Sequence, residues 1–342
     1  MKRYGNLKER WCNYETLLQA AKEVSTGKTF HHSYLKYEMN LAENLENLLN
    51  RLVNGSYQPG EPREFKVYEP KERLIHAPAL EDRIVQHAVL IVVREMIERR
   101  FIHHSYACRK ERGTHRASAQ LKRWLIQYGN EGYYLKVDIS KFFYSIDHET
   151  LTNQLMRIIK CEDTIRIMQK FYEKDSGCGL PLGNVTSQVL ANLALNDLDH
   201  LIKRELMIRH YIRYMDDMIL LHRDKGVLKA ALTRIIQLVY SLKLRVNSKT
   251  HIGKISSGID FVGYKTWYNR RVIRKRTLHG VKRKARKGNM QTVSSLLSHS
   301  KGTNSIRYVA NTLMRVRPDF TEFIKNWIIK NQNEVYYEIF QS

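Results

Sequence analysis

The stretch His210-Tyr211-Ile212-Arg213-Tyr214-Met215-Asp216-Asp217-Met218-Ile219-Leu220-Leu221-His222 decides the fold. Two apolar segments, His210 to Met215 and Met218 to His222, are separated only by Asp216-Asp217, the sequence picture of a tight β-hairpin whose turn carries two adjacent carboxylates. Aspartate favours turns in any case, so an isolated Asp-Asp pair reads first as a solvated turn. Tyr214-Met215-Asp216-Asp217 between apolar strands is a far more specific pattern.

Upstream, Tyr133 to Ile139 alternates, with Leu135, Val137 and Ile139 on one face and Tyr134, Lys136 and Asp138 on the other. If this strand neighbours the hairpin in one antiparallel sheet, Asp138, Asp216 and Asp217 come together. Such a trio suits nucleotidyl transfer, which uses two divalent ions about 3.5 to 4 Å apart, and hard oxygen ligands suit Mg²⁺.

Further out, residues 8 to 54 read mostly helical: Leu41, Leu45, Leu48, Leu49 and Leu52 recur at helical spacing and Asn54-Gly55 ends the run. Between Tyr57 and Pro78, prolines and the alternating Phe65-Lys66-Val67-Tyr68 predict a short basic hairpin, and Glu81 to Arg100 resumes a helical period. After Gly183, the set Leu190, Leu193, Ala194, Leu198, Leu201, Ile202 and Glu205 predicts one amphipathic helix, with Asn184 or Thr186 as its cap. Lys265 to Lys287 holds many Lys and Arg and no acidic residue, and Ile306 to Phe340 is helical again, so a boundary is expected near residue 270.

The formal net charge is +24 over 342 residues, which points to a long polyanionic partner, nucleic acid before membrane. No apolar run reaches the roughly eighteen residues of a membrane span; Ile84 to Val93 is interrupted by Gln86 and His87. Met1-Lys2-Arg3-Tyr4-Gly5 leads into polar residues rather than an apolar leader, so a cytoplasmic protein is expected. Cys12, Cys108, Cys161 and Cys178 lack paired spacing and read as free thiols.

Taken in order from about residue 60 to residue 265, these motifs resemble the reverse transcriptase family, whose palm carries a Tyr-x-Asp-Asp hairpin. The resemblance implies an α+β right-hand polymerase: a helical segment 1–56, fingers and link 57–132, a palm 133–268 with an antiparallel sheet backed by helices, and a short basic helical thumb 269–342. Asp138-Ile139-Ser140-Lys141-Phe142-Phe143 looks like the first palm motif. It implies metal binding by Asp138, Ile139, Asp216 and Asp217, with two Mg²⁺ ions for which Mn²⁺ substitutes, and a gate against a 2′-hydroxyl at Phe143; Phe142 reads as a core aromatic. Lys71 and Arg73 resemble the residues that clamp the incoming triphosphate, Lys66 being able to replace Lys71, and a solvated hairpin charge is the other reading. The resemblance also implies that Leu182, Gly183 and Gln188 fall beside the incoming nucleotide, the other reading of Leu182 being that it packs beneath the helix beginning near Asn184. Lys249 sits where the family supplies a lysine that protonates pyrophosphate, a solvated turn lysine being the alternative. Phe261, Val262, Gly263 and Tyr264 look like the primer grip, and Arg274, Lys275, Arg276, Lys282, Arg283 and Lys284 would contact a duplex backbone, a solvated charged face being the other reading.

Within Gly179-Leu180-Pro181-Leu182-Gly183-Asn184-Val185-Thr186-Ser187-Gln188, Leu182 stands where most reverse transcriptases carry glutamine and Gln188 where they carry proline. Both departures resemble the enzymes of diversity-generating retroelements, bacterial or phage-encoded, which copy a template RNA into cDNA from dNTPs with errors at adenines. That likeness implies a small basic accessory protein as a partner, and no membrane. A retron or abortive-infection polymerase, a group II intron polymerase, and a nucleic-acid-binding scaffold with an inactive palm are the alternatives.

Overall fold

The computed structural model describes residues 3–26, 32–68, 72–173 and 176–331. The chain forms two compact units, one of Met1–Cys108, Asp138–Met207 and Ala231–Lys249, the other of Arg109–Val137, Ile208–Ala230 and Thr250–Ser342. They interleave along the sequence, so neither corresponds to a single stretch of chain.

The first unit is largely helical. Helices Tyr14–Ser25 and Leu41–Val53 each bury one stripe: Leu17, Ala20, Ala21 and Val24 on the first, Leu45, Leu48 and Leu52 on the second. Asn13 starts the first of these, its side chain accepting the Thr16 N–H at 2.9 Å. That helix packs on Leu80–Glu98, which is buried along most of its length. Tyr4 joins the unit through a parallel bridge to Ile159. The expected basic hairpin is present as β1 (Arg63–Val67) and β2 (Arg73–Ala77), antiparallel, with Val67 opposite Arg73.

The single helix expected after Gly183 is instead three consecutive pieces: Val185–Ala194, Asn196–His200 and a π-helical turn Leu201–Glu205. Leu195, at φ −100 and ψ 6, breaks the ladder, while Leu190, Leu193, Leu198 and Ile202 stay buried. The apolar period thus survives a change of helix type. Neither proposed cap closes the first turn. The Asn184 amide donates to Phe171 O at 2.9 Å, and Gln86 Oε1, from Leu80–Glu98, accepts the Val185 N–H at 3.0 Å.

In the second unit, β3 (Tyr133–Val137), β4 (His210–Tyr214), β5 (Asp217–His222) and β6 (His251–Lys254) form an antiparallel sheet of order β4-β5-β3-β6. A smaller sheet holds β7 (Ile259–Phe261), β8 (Tyr264–Thr266) and β9 (Arg271–Ile273). Helix Thr114–Tyr128 packs on β4 and β8. Helices Lys275–Lys287, Met290–Ser300, Ile306–Val316 and Thr321–Asn331 enclose a core that includes Ile273, Val281, Leu297 and Leu313. The helix expected from Ile306 to Phe340 is interrupted by Pro318, which opens a 3₁₀ turn, and its part beyond Asn331 lies outside the described residues.

All four cysteines are free. Burial raises the thiols of Cys12 and Cys108 above their ordinary range. Burial would raise Cys161 too, but the Thr164 hydroxyl, donating to its sulfur at 3.2 Å, and nearby backbone N–H groups bring it below that range. Among the described residues no helix is long and apolar enough to cross a membrane.

Candidate active site

In the second unit, Tyr214 pairs with Asp217, so the β4–β5 turn is Met215-Asp216. This corrects the expectation that both aspartates occupy the turn: Asp217 is the first residue of β5, and both are half-buried. Met215 lies at φ 53, a left-handed conformation that costs a non-glycine residue roughly 1 to 2 kcal/mol. Two features hold it there. Its side chain is buried, and the fully buried Arg213 donates from Nη1 to the Met215 carbonyl at 3.2 Å. Val137, the last residue of β3, pairs with Met218. Beside it, Lys136 Nζ lies 3.2 Å from Asp217 Oδ1 and donates to the Asp260 carbonyl at 2.6 Å.

In the first unit, Asp138 is half-buried and its carbonyl accepts the Asn247 N–H at 2.7 Å. Ser140 N–H donates to Arg245 O at 2.8 Å, and Ile139 bridges Val246. The side chain of Ile139 is buried. Lys249 is exposed and belongs to the same pinned segment, its N–H donating to Asn247 Oδ1 at 3.0 Å. Phe142 is 2% exposed and Phe143 half-exposed, which separates a core aromatic from one that reaches the surface. The Leu180 N–H donates to Phe143 O at 2.6 Å and the His76 N–H to Leu182 O at 2.7 Å. The segment carrying Leu182 and Gly183 is therefore tied to Phe143 at one end and to β2 at the other. Gln188 is exposed, on the first turn of Val185–Ala194. Arg73 is exposed at the start of β2, and Lys66 pairs with Glu72 at 2.8 Å. Lys71 lies outside the described residues.

Returning to the second unit, Phe261 pairs with Tyr264 across a turn in which Val262 and Gly263 both have positive φ, 45 and 95. Phe261 and Tyr264 are buried, so Val262 and Gly263 are the part of this hairpin nearer the surface. The Tyr264 hydroxyl sits 3.3 Å from His115 Nδ1 and 3.2 Å from His299 Nδ1, and burial pushes it up to about 12. Burial also lowers both imidazoles, helped by Arg271 and Lys301 at His115, and by His115, Arg274 and Lys284 at His299. Lys275, Arg276, Lys282, Arg283 and Lys284 are exposed on helix Lys275–Lys287, whereas Arg274 is half-buried and donates to Asp260 Oδ1 at 2.5 Å.

Sequence reasoning missed Arg213, Gln86 and the pairing of Lys136. An arginine inside an otherwise apolar strand segment was the one available signal for Arg213. Among the described residues, no three His, Cys, Asp or Glu side chains are already gathered as a metal cage. The donors nonetheless fit a hard cation: the Asp217 carboxylate, mostly shielded from solvent, already holds an ammonium against one oxygen.

The sequence matches the family described as reverse transcriptase (RNA-dependent DNA polymerase) over residues 66–266. Protein YkfC of Escherichia coli (strain K12) is 29% identical over 358 residues, covering 89% of this chain and 90% of that protein. The group II intron-encoded protein LtrA of Lactococcus lactis subsp. cremoris is 29% identical over 170 residues, 46% of this chain and 28% of LtrA. Among solved structures, telomerase from Candida albicans in complex with a TWJ fragment of telomeric RNA aligns with TM-score 0.50 at 13% identity, over 84% of this chain and 59% of that one. Apo telomerase from Candida tropicalis aligns with TM-score 0.50 at 12% identity, over 85% and 64%. At such identities the likeness is one of fold.

Proposed function

This chain belongs to the reverse transcriptase (RNA-dependent DNA polymerase) family and has its right-hand fold, and on that footing we propose that it extends DNA on an RNA template at a site formed by Asp138, Asp216 and Asp217. The observation that carries this reading is the strand register. Val137, the residue that precedes Asp138 in the chain, pairs with Met218, the residue that follows Asp217, and this register supports the reading.

Asp138, Asp216 and Asp217, with the backbone of Ile139, would hold two divalent ions, Mg²⁺ or in its place Mn²⁺. When bound, these supply charge stabilisation to the attacking hydroxyl and the leaving pyrophosphate. The remaining roles fall to side chains. Phe143 excludes a 2′-hydroxyl, Arg73 and Lys71 grip the triphosphate, and Leu182, Gly183 and Gln188 border the base pair. Lys249 supplies a proton to pyrophosphate. The turn Val262-Gly263, braced by Phe261 and Tyr264, bears the primer, while Arg274, Lys275, Arg276, Lys282, Arg283 and Lys284 meet the duplex backbone. On this reading fingers, palm and thumb follow the limits 57–132, 133–268 and 269–342.

We further infer that the enzyme serves a diversity-generating retroelement in the bacterial or phage cytoplasm, miscopying template adenines with the help of a small basic accessory protein. Leu182 and Gln188 support this. A group II intron-type role is the second reading, favoured by the likeness to LtrA, and that likeness covers 46% of the chain.

Primer extension on RNA with Mg²⁺ tests the site. Asp216→Asn and Asp138→Asn are each expected to abolish extension while RNA binding persists, because the basic surface is untouched. Retention of about a tenth of wild-type extension would exclude that residue as a metal ligand, since so small a loss is only about 1.4 kcal/mol.

A further inference from the structure

Lys136 stands next to the end of β3, opposite Ile219 on β5 and His251 on β6. Its ammonium contacts Asp217 Oδ1 at 3.2 Å and the Asp260 carbonyl at 2.6 Å. The Asp260 carboxylate accepts from Arg274 Nε at 2.5 Å, and the Arg274 N–H donates to Gly263 O at 3.1 Å. One short polar path therefore leads from a carboxylate of the proposed site, through Lys136, to the β7–β8 hairpin and the residue that precedes helix Lys275–Lys287. The Lys136 and Asp217 side chains are only 19% and 23% exposed, so their attraction acts in a medium less polar than water.

We propose that Lys136 is a resident counter-charge of Asp217, a positioning residue that helps hold this carboxylate before an ion arrives and couples it to the primer-grip hairpin through Asp260. The proposal rests on the reading of Asp217 as a metal-binding residue. An ammonium on one carboxylate oxygen offsets the repulsion between Asp217 and its neighbour Asp216. The same ammonium opposes an incoming divalent ion. Filling the site therefore weakens the Lys136–Asp217 contact while the bond to Asp260 remains, so the state of the site bears on the hairpin that carries Asp260.

Thermal unfolding of the full chain, in chelator and in Mg²⁺, separates these statements. The wild type is expected to melt higher with Mg²⁺, and Asp217→Asn to lose that rise. Lys136→Met is expected to melt below wild type in chelator and to show a larger Mg²⁺-induced rise, because a more negative site binds the ion more tightly. Lys136→Arg keeps the charge and should behave as wild type. In the Asp217→Asn background, Lys136→Met should depress the chelator midpoint less, since the two side chains are coupled. Lys136→Gln serves for the same comparison where methionine is not tolerated. An equal Mg²⁺-induced rise in wild type and in the neutral variant, or an enlarged one in Lys136→Arg, overturns the role of Lys136 alone. A wild-type rise that is absent, or that persists in Asp217→Asn, overturns the metal reading of Asp217 instead.

Discussion

The backbone N–H of His76 donates to the Leu182 carbonyl at 2.7 Å, and the residue that follows, Gly183, lies at φ 131. A Cβ at Gly183 would stand 2.2 Å from the His76 carbonyl oxygen, so the junction of β2 with this segment admits no side chain. Gly183→Ala is expected to destabilise the protein by more than about 2 kcal/mol, because it meets both backbone strain and a clash with main chain. The urea midpoint, read at unchanged slope, measures it. An unaltered midpoint would contradict the geometry.

The neighbouring Leu182 is half-exposed and offers no side-chain hydrogen bond. A lost hydrogen bond is worth about 0.5 to 1.5 kcal/mol, roughly a two- to tenfold change in discrimination. Leu182→Gln is therefore expected to reduce misincorporation opposite template adenine severalfold in an active enzyme. Sequencing cDNA made by both enzymes on one RNA decides it, and an equal adenine error rate counts against the retroelement reading.

Phe143, tied by its carbonyl to Leu180, carries a half-exposed ring. Phe143→Ala should raise the kcat/KM for ribonucleotides relative to deoxynucleotides by opening space beneath the sugar. An unchanged ratio removes the gate from Phe143.

Acid should loosen the second unit. His115 and His299 have lowered values in the fold, while in the unfolded chain they titrate near about 6.5. As pH falls through that unfolded value, the unfolded chain binds protons that the folded chain does not, so stability present above it is lost progressively until the folded values are reached. The melting temperature is expected to drop between about pH 7.5 and about pH 5.5, and less steeply in His299→Gln. Parallel pH profiles for the two proteins would exclude His299 as a source of the effect.

The features that the sequence made legible are those written in local periodicity. Alternation in Tyr133 to Ile139 marked β3, apolar runs around the aspartates marked β4 and β5, and their pairing is the one expected. Phe142 and Phe143 were told apart only by the likeness of their stretch to the first palm motif, and of the two Phe142 alone is buried. The turn itself was misplaced by one residue, since Asp suits a turn by propensity and Met215 does not. Here cross-strand pairing of Tyr214 with Asp217 overrides that preference, and buried Arg213 stabilises the result. Long-range partners left no local trace. Gln86 closes the first turn of a helix about a hundred residues away, and Lys136 finds Asp217 only after two strands pair. The break at Leu195 was hidden because the apolar period runs through it unchanged.

The Thr164 hydroxyl, which donates to Cys161 Sγ at 3.2 Å and accepts from Trp11 Nε1 at 2.9 Å, has a practical consequence. By helping lower the Cys161 thiol while burial raises those of Cys12 and Cys108, it makes Cys161 more thiolate at neutral pH than either. A maleimide dye would therefore attach at Cys161 in preference to those two cysteines. The dye would stand close to the indole of Trp11 and two residues from Ile159, where Tyr4 is paired. Its quenching by the indole would report, in real time, whether the amino-terminal segment stays docked while the enzyme is at work.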